Sequence, residues 1–282
     1  MAEIISGKII SASVKERIAA EVSELKSKGV VPGLAVIIVG TDPASQVYVG
    51  SKERTCIELG MYSEKYELPE ETTNEELLAL IDRLNHDDKI HGILCQLPLP
   101  KHLDEKAVID SIVPEKDVAA FHVQNVGKIM IGNYDFLPCT PAGIMEMLNY
   151  SGINPKGKHC VDIGRSNIVG QPMAMLMLHA DATVTICHSK TQNLKEICRE
   201  ADILIASVGR PKFVTADMVK PGAVVIDVGI NRDENGKLCG DVDFSAVEPL
   251  CSAITPVPGG VGPMTIAMLM QNTLTSAKRS IK

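Results

Sequence analysis

The segment SQVYVGSKERTC (45–56) carries Tyr48 and Lys52 four positions apart, so a helix there sets phenol and amine on one face. Such an amine acts as a general base only when neutral. Its ordinary pKa of ~10.4 must then fall towards neutrality, a change of about 4 kcal/mol, through burial and nearby positive charge. Gln96 closes the apolar run IHGILCQ (90–96), and if that run is a strand, its amide emerges at the same sheet edge as the Tyr48–Lys52 helix, which follows LAVIIVG (34–40). Lys52, Tyr48 and Gln96 are therefore candidate catalytic and substrate-binding residues. The plainer arrangement is a solvated helix lysine over a partly packed tyrosine, which most YxxxK pairs adopt.

A second constellation lies in CVDIGRSNIVGQP (160–172), where an apolar strand meets a helix starting near Val169. The first helical N–H groups and the helix dipole there can receive a phosphate. Gly164 and Gly170 have five residues between them rather than the GxGxxG spacing, so the turn is a weak motif by itself. The next strand, ATVTIC, runs into His188-Ser189-Lys190, with no acid where an NAD site would hold the ribose 2′-hydroxyl. A 2′-phosphate suits Arg165, Ser166, Ser189 and Lys190 instead, which makes NADP the expected cofactor. Asp181 precedes that strand and reads as a turn residue.

These groups need elements to position them. Val14, Ile18, Val22 and Leu25 recur at helical spacing between residue 11 and Gly29, and Thr73 with Glu76 makes a capping box ahead of LLALIDRL. Strands alternate with helices through LAVIIVG, MYSEKYEL and IHGILCQ, then again through HCVDIG, ATVTIC, DILIAS and AVVIDVG. Such alternation implies parallel pairing with right-handed crossovers. The expected fold class is α/β: two α/β domains with a cleft between them, the second a Rossmann-like doubly wound parallel sheet. We place the first domain at 1–138 and the second at 139–262. Thr140-Pro141 reads as the start of a connecting helix, and the last helix, 263–282, is expected to pack back on the first domain. The Asn-Gly within NRDENGKLCGDV (231–242) predicts a tight hairpin.

Composition narrows the function classes. A formal net charge of −7 argues against nucleic acid or an anionic membrane as the main partner, since both select basic surfaces. The eight cysteines include no CxxC, and the seven histidines no HExxH, so no metal is expected and the thiols read as reduced. The N-terminal MAEIISGKIISASVKER has charges where a signal peptide needs an apolar run, which makes a cytoplasmic enzyme the expectation.

Taken in order, YVGSK (48–52), CQLPLP (95–100), PEKDV (114–118), PCTP (138–141), GRSNIVGQP (164–172), CHSKT (187–191), DVGIN (227–231) and PVPGGVGPMT (256–265) span nearly the whole chain. The chain thereby resembles the bifunctional methylenetetrahydrofolate dehydrogenase/methenyltetrahydrofolate cyclohydrolases. That resemblance implies a cytoplasmic, NADP-dependent homodimer acting on tetrahydrofolate one-carbon derivatives. It would oxidise 5,10-methylene-tetrahydrofolate to the 5,10-methenyl cation and then add water to reach 10-formyl-tetrahydrofolate. It further implies Lys52 as the catalytic lysine, Tyr48 stacking on or positioning the folate, and Gln96 tuning the lysine. For the cofactor it points to Gly164, Arg165, Ser166, Ser189 and Ile230, and at the substrate to backbone approach at Pro258, Gly259 and Gly260.

One departure stands out. After PEKDV the family reads Asp-Gly, and that Asp binds the aminopyrimidine end of the pterin, whereas this chain has Ala119 and Ala120. Either Ala119 was introduced, which would cripple both activities, or it is native and Asp117 serves instead, since residues two apart in an extended segment face one side. Two other readings follow: a non-catalytic NADP- or folate-binding scaffold, which Ala119 favours, and an NADP dehydrogenase of another small substrate, such as a shikimate-type enzyme. Intact Tyr48, Lys52 and Gln96 argue against the first; CQLPLP and PGGVGPMT argue against the second.

Overall fold

The computed structural model describes residues 2–281. In chain order, β1 (Glu3–Ile4) and α1 (Gly7–Ser27) lead into β2 (Gly33–Val39), α2 (Pro43–Glu58), β3 (Tyr62–Leu68), α3 (Asn74–Asn85) and β4 (Gly92–Cys95). Then come α4 (Glu105–Ser111), α5 (Val123–Met130) and α6 (Cys139–Tyr150). A second alternation follows: β5 (His159–Ile163), α7 (Gly170–His179), β6 (Thr183–Cys187), α8 (Leu194–Cys198), β7 (Ile203–Ala206) and β8 (Val224–Asp227). The hairpin β9 (Asn231–Arg232) and β10 (Leu238–Cys239), then α9 (Phe244–Val247), β11 (Ala253–Ile254) and α10 (Val261–Ser280), complete the chain.

The chain divides into two compact units, one of Ser13–Cys139 with Ile266–Lys282, the other of Met1–Ala12 with Thr140–Thr265. In the first, a three-stranded parallel sheet runs β3-β2-β4. GLAVIIV is buried throughout because β2 has a strand on each side. The register pairs Ile37 with Cys95, so the residue after Cys95 leaves at the carboxyl edge. Local chemistry starts the flanking helices: Asp42 accepts from Ser45 N–H (2.8 Å) ahead of Pro43, and the Thr73–Glu76 capping box closes reciprocally at 3.2 and 2.9 Å.

In the other unit, six strands run β1-β11-β8-β7-β5-β6, and every pairing is parallel. Strand β5 has β6 on one side and β7 on the other, so the winding reverses there, and α/β sheets take ligands at such a switch point. Val161, Ile163, Leu204 and Val225 fill the core on one face. Asp162 points to the opposite face, fully buried, with neither carboxylate oxygen hydrogen-bonded.

Three expectations need correction. Residues 1–12 do not belong with the first domain, because β1 adds to the edge of the six-stranded sheet, Glu3 opposite Ala253 and Ile4 opposite Ile254. Two-residue edge strands carry too little pattern to be read from sequence. Helix α1 starts at Gly7 rather than near residue 11. Thr140 does not cap α6, which begins one residue earlier at Cys139; its hydroxyl instead shares a 2.9 Å hydrogen bond with that of Thr265. The hairpin does turn at Asn235-Gly236, with Gly236 at φ 75°, and Asp181 sits in a turn at φ 63°.

Candidate active site

Helix α2 follows β2, so it starts from the carboxyl edge at which Gln96 emerges, and Lys52 lies on its buried face with 8% of its surface exposed. The Nζ group donates to Gln96 Oε1 at 2.6 Å. Gln96 is held at both ends: its backbone N–H donates to Ile37 O (2.8 Å) and its Nε2 to Leu97 O (2.6 Å), which turns the amide oxygen towards the lysine. Burial pulls the Lys52 ammonium down to about 8, and the nearby Cys139 thiol opposes this to a smaller degree. Loss of water around the amine therefore suffices to bring it near neutrality, without a cationic neighbour. Tyr48, one turn earlier, is half-buried, and burial pushes its phenol up, so it remains a neutral donor.

A polar clamp lies beside the amine. Asn272 Nδ2 donates to Val118 O and Leu137 O, both at 2.8 Å, and the Cys139 thiol, pushed up to about 12 by burial, reaches Val118 O at 3.6 Å. The clamp holds the carbonyl immediately before position 119, the place of the family's pterin-binding carboxylate. Ala119 there is buried and has no polar group. Asp117 is no free substitute: its Oδ2 accepts from His122 N–H and Asn125 Nδ2, both at 2.8 Å, and ties its own loop together. Asn272 and Cys139 were not assigned a role from sequence because a lone amide on one helix and a thiol at the start of another carry no local signal of a shared partner.

Ala120 takes φ 59°, a left-handed conformation that penalises a β-carbon, and its N–H closes a turn onto Asp117 O at 3.0 Å. Ala120→Gly is expected to raise the free energy of unfolding by about 0.5–1 kcal/mol, read as a shift in the urea midpoint at constant slope. A lower midpoint would show that the methyl group's packing outweighs the strain.

The residues singled out for the cofactor all lie in the six-stranded unit. Gly164, at the end of β5, leaves no room for a side chain: a β-carbon would lie 2.1 Å from Ser207 Oγ, and one on Gly170 would lie 2.5 Å from Gly164 C and O. The exits of β5 and β7 and the start of α7 thus meet at bare backbone, the form a dinucleotide cradle needs. Arg165 and Ser189 are exposed beside it. Ser166 also serves the helix, its Oγ accepting from Val169 N–H (3.2 Å) and Gly170 N–H (3.4 Å). No carboxylate follows β6, and the turn after it is pinned by His188 N–H on Thr191 Oγ1 (2.8 Å). These groups fit an NAD(P) dinucleotide with a 2′-phosphate.

Ile230, after β8, is 48% exposed. Pro258, Gly259 and Gly260 lie in the same unit, where Gly259 O accepts from Lys8 N–H at 3.1 Å and a β-carbon on Gly7 would lie 1.8 Å from Gly260 O. That glycine pair therefore docks the N-terminal helix, a structural task the sequence did not announce. Among the described residues no group of three or more His, Cys, Asp or Glu is placed to hold a metal ion, and no helix is long and apolar enough to cross a membrane.

Known proteins share this arrangement. The catalytic-domain profile of tetrahydrofolate dehydrogenase/cyclohydrolase matches residues 5–119, and the NAD(P)-binding-domain profile of the same family matches residues 138–281. Bifunctional protein FolD of Acetivibrio thermocellus is 61% identical over 281 residues, covering 100% of this chain and 99% of its own. The crystal structure of the bifunctional enzyme FolD, a methylenetetrahydrofolate dehydrogenase/cyclohydrolase from Campylobacter jejuni, superposes with a TM-score of 0.98 at 52% identity, each chain fully covered. The Trypanosoma brucei enzyme, solved with NADP and an inhibitor, gives 0.96 at 40% identity, covering 100% of this chain and 99% of that one. Shikimate 5-dehydrogenase of Thermus thermophilus, at 15% identity over 88% of this chain and all of its own, has a TM-score of 0.54 and shares the fold alone. With both domain profiles matched and a buried lysine of lowered basicity at the sheet edge, the chain belongs to the tetrahydrofolate dehydrogenase/cyclohydrolase family.

Proposed function

We propose that this chain oxidises 5,10-methylene-tetrahydrofolate with NADP and hydrolyses the resulting 5,10-methenyl cation to 10-formyl-tetrahydrofolate, with Lys52 as the base. The observation that carries this reading is the Lys52 amine, 8% exposed, bonded to Gln96 at 2.6 Å and pulled down to about 8. Bound NADP would supply the acceptor for the hydride leaving the one-carbon bridge, held by Gly164, Arg165, Ser166 and Ser189, with Ile230 towards its nicotinamide end. The oxidised bridge is cationic and disfavours a charged lysine beside it, so Lys52 stands ready as a neutral amine. In the second half-reaction water adds to the one-carbon carbon, Nζ takes the water proton, and one carbon–nitrogen bond breaks as the proton passes to the departing nitrogen. Gln96 fixes where the lone pair points, and the neutral Tyr48 phenol lies one turn away to position the substrate. A cytoplasmic homodimer is the assembly and setting that the family implies.

Ala119 qualifies the rate and leaves the reaction class intact. Without a carboxylate at 119, and with Asp117 committed to its loop, the pterin loses two charge-assisted acceptor bonds, so folate binding and both activities are depressed while NADP binding persists.

A dehydrogenase assay following nicotinamide reduction, paired with a cyclohydrolase assay, tests the reading. Lys52→Met should lower kcat of both by about 10²- to 10⁴-fold with the NADP Kd unchanged. In the parent, kcat/KM should rise with pH through an inflection near 8, because the base is the unprotonated amine. A Lys52→Met enzyme with parental turnover, or a profile that falls across that range, would refute Lys52 as the base.

A further inference from the structure

Two buried acids outside the lysine site carry the most heavily hydrogen-bonded carboxylates at the carboxyl edge of the six-stranded sheet. Asp241, with no exposed surface, accepts from four donors: Val208 N–H (2.6 Å) and Gly209 N–H (3.0 Å) on Oδ2, Arg210 N–H (2.8 Å) and Asn231 Nδ2 (2.8 Å) on Oδ1. Asp227, the last residue of β8, accepts on Oδ1 from Gly229 N–H (3.0 Å) and Asp241 N–H (2.9 Å) and on Oδ2 from Val242 N–H (3.0 Å). Glycine is required on both sides: a β-carbon on Gly229 would lie 2.3 Å from Asp241 Cγ, and one on Gly240 1.8 Å from Asp227 Oδ2.

The donors come from two loops. Residues 208–210 leave β7, which borders β5 at the switch point, and residues 228–231 leave β8, the next strand out. Asp241 bonds both, so one carboxylate sets the spacing between them, and Ile230 sits between two residues, Gly229 and Asn231, that this pair of acids holds. Only an acceptor without hydrogens satisfies three successive backbone N–H groups and an amide at once.

We propose that Asp241 is a positioning residue for the reacting end of the cofactor, holding the loops after β7 and β8 so that the Ile230 wall meets the nicotinamide at one fixed distance. The proposal rests on the reading of this edge as the NADP site. An Asp241→Asn side chain keeps the shape but turns an NH₂ towards N–H groups, which pushes one loop away.

Titration calorimetry with NADP+ on the parent, Asp241→Asn and Asn231→Ala chains, alongside KM and kcat for each substrate and the melting curve, tests it. We expect Asp241→Asn to weaken NADP+ binding about 10-fold and to lower dehydrogenase kcat by about 10- to 100-fold. The folate KM should stay within about twofold, and Asn231→Ala should weaken NADP+ binding about threefold. A cooperatively melting Asp241→Asn chain with parental NADP+ affinity overturns the inference, as does equal loss for folate and NADP+. If Asp241→Asn does not fold, parental NADP+ affinity in Asn231→Ala overturns it. A parent chain that binds no NADP+ overturns the cofactor reading and this inference together; a parent that binds, with variants that bind equally, overturns the inference alone.

Discussion

Ala119→Asp is expected to raise kcat/KM for the folate substrate about 10²- to 10⁴-fold, because two recovered charge-assisted hydrogen bonds contribute roughly 1.5–3 kcal/mol each. The backbone that would present the new carboxylate is already held, by Asn272 on Val118 O at 2.8 Å and by the Ala120 N–H on Asp117 O at 3.0 Å, so little ordering is needed. Asp117 does not compensate in the parent, since its side chain is buried and its Oδ2 is tied to His122 N–H and Asn125 Nδ2 within its own loop. Side-by-side dehydrogenase and cyclohydrolase assays decide the matter, and the gain should appear in both with the NADP Kd untouched. Equal kcat/KM in the two proteins would show that the pterin is gripped elsewhere.

The second large effect concerns stability. Asp162→Val should stabilise the fold by about 2–4 kcal/mol near neutral pH, because it removes a fully buried carboxyl group with no hydrogen-bond partner and leaves a β-branched side chain in a parallel strand. At roughly 2–4 °C per kcal/mol for a domain of this size, Tm should rise by about 5–15 °C. Burial raises the Asp162 pKa well above the ordinary carboxylate value, so the folded chain keeps a proton that the unfolded chain releases above about pH 4. The parent therefore loses stability as pH climbs out of the acidic range, and the gap to the variant should widen from pH 4 towards neutrality. Asp162→Asn should abolish that widening while leaving the unmet polar group in place. Urea titrations at both ends of the range check this; a gap that is constant with pH, or a destabilised valine variant, would mean that the carboxyl group is solvated or paired in solution.

Both large effects arise where sequence patterning and tertiary environment part company. The period of Val14, Ile18, Val22 and Leu25, the wholly apolar GLAVIIV, and the Thr73–Glu76 box are local signals, and each became the element it predicts. The Tyr48–Lys52 face and the bare backbone at Gly164 were legible for the same reason, since helix spacing and missing β-carbons are properties of neighbours along the chain. By contrast, CVDIG reads as one apolar strand whichever way Asp162 points, and DVGIN and GDVDF show acids beside glycines without revealing that the acids bond each other's loops.

Chain order alone thus determined the alternation of strands and helices, the α/β class with its second, Rossmann-like sheet, and the residue types available for base and phosphate chemistry. Tertiary structure decided that Lys52 is desolvated and meets an amide 44 positions away, and that β1 adds to the edge of the six-stranded sheet. It also decided that Asp117 is occupied while Asp162 is stranded. The reason is physical: periodicity and turn chemistry act over a few residues, whereas burial, and with it the lowered proton affinity of Lys52 and the raised one of Asp162, is set by which distant segments fold over a side chain.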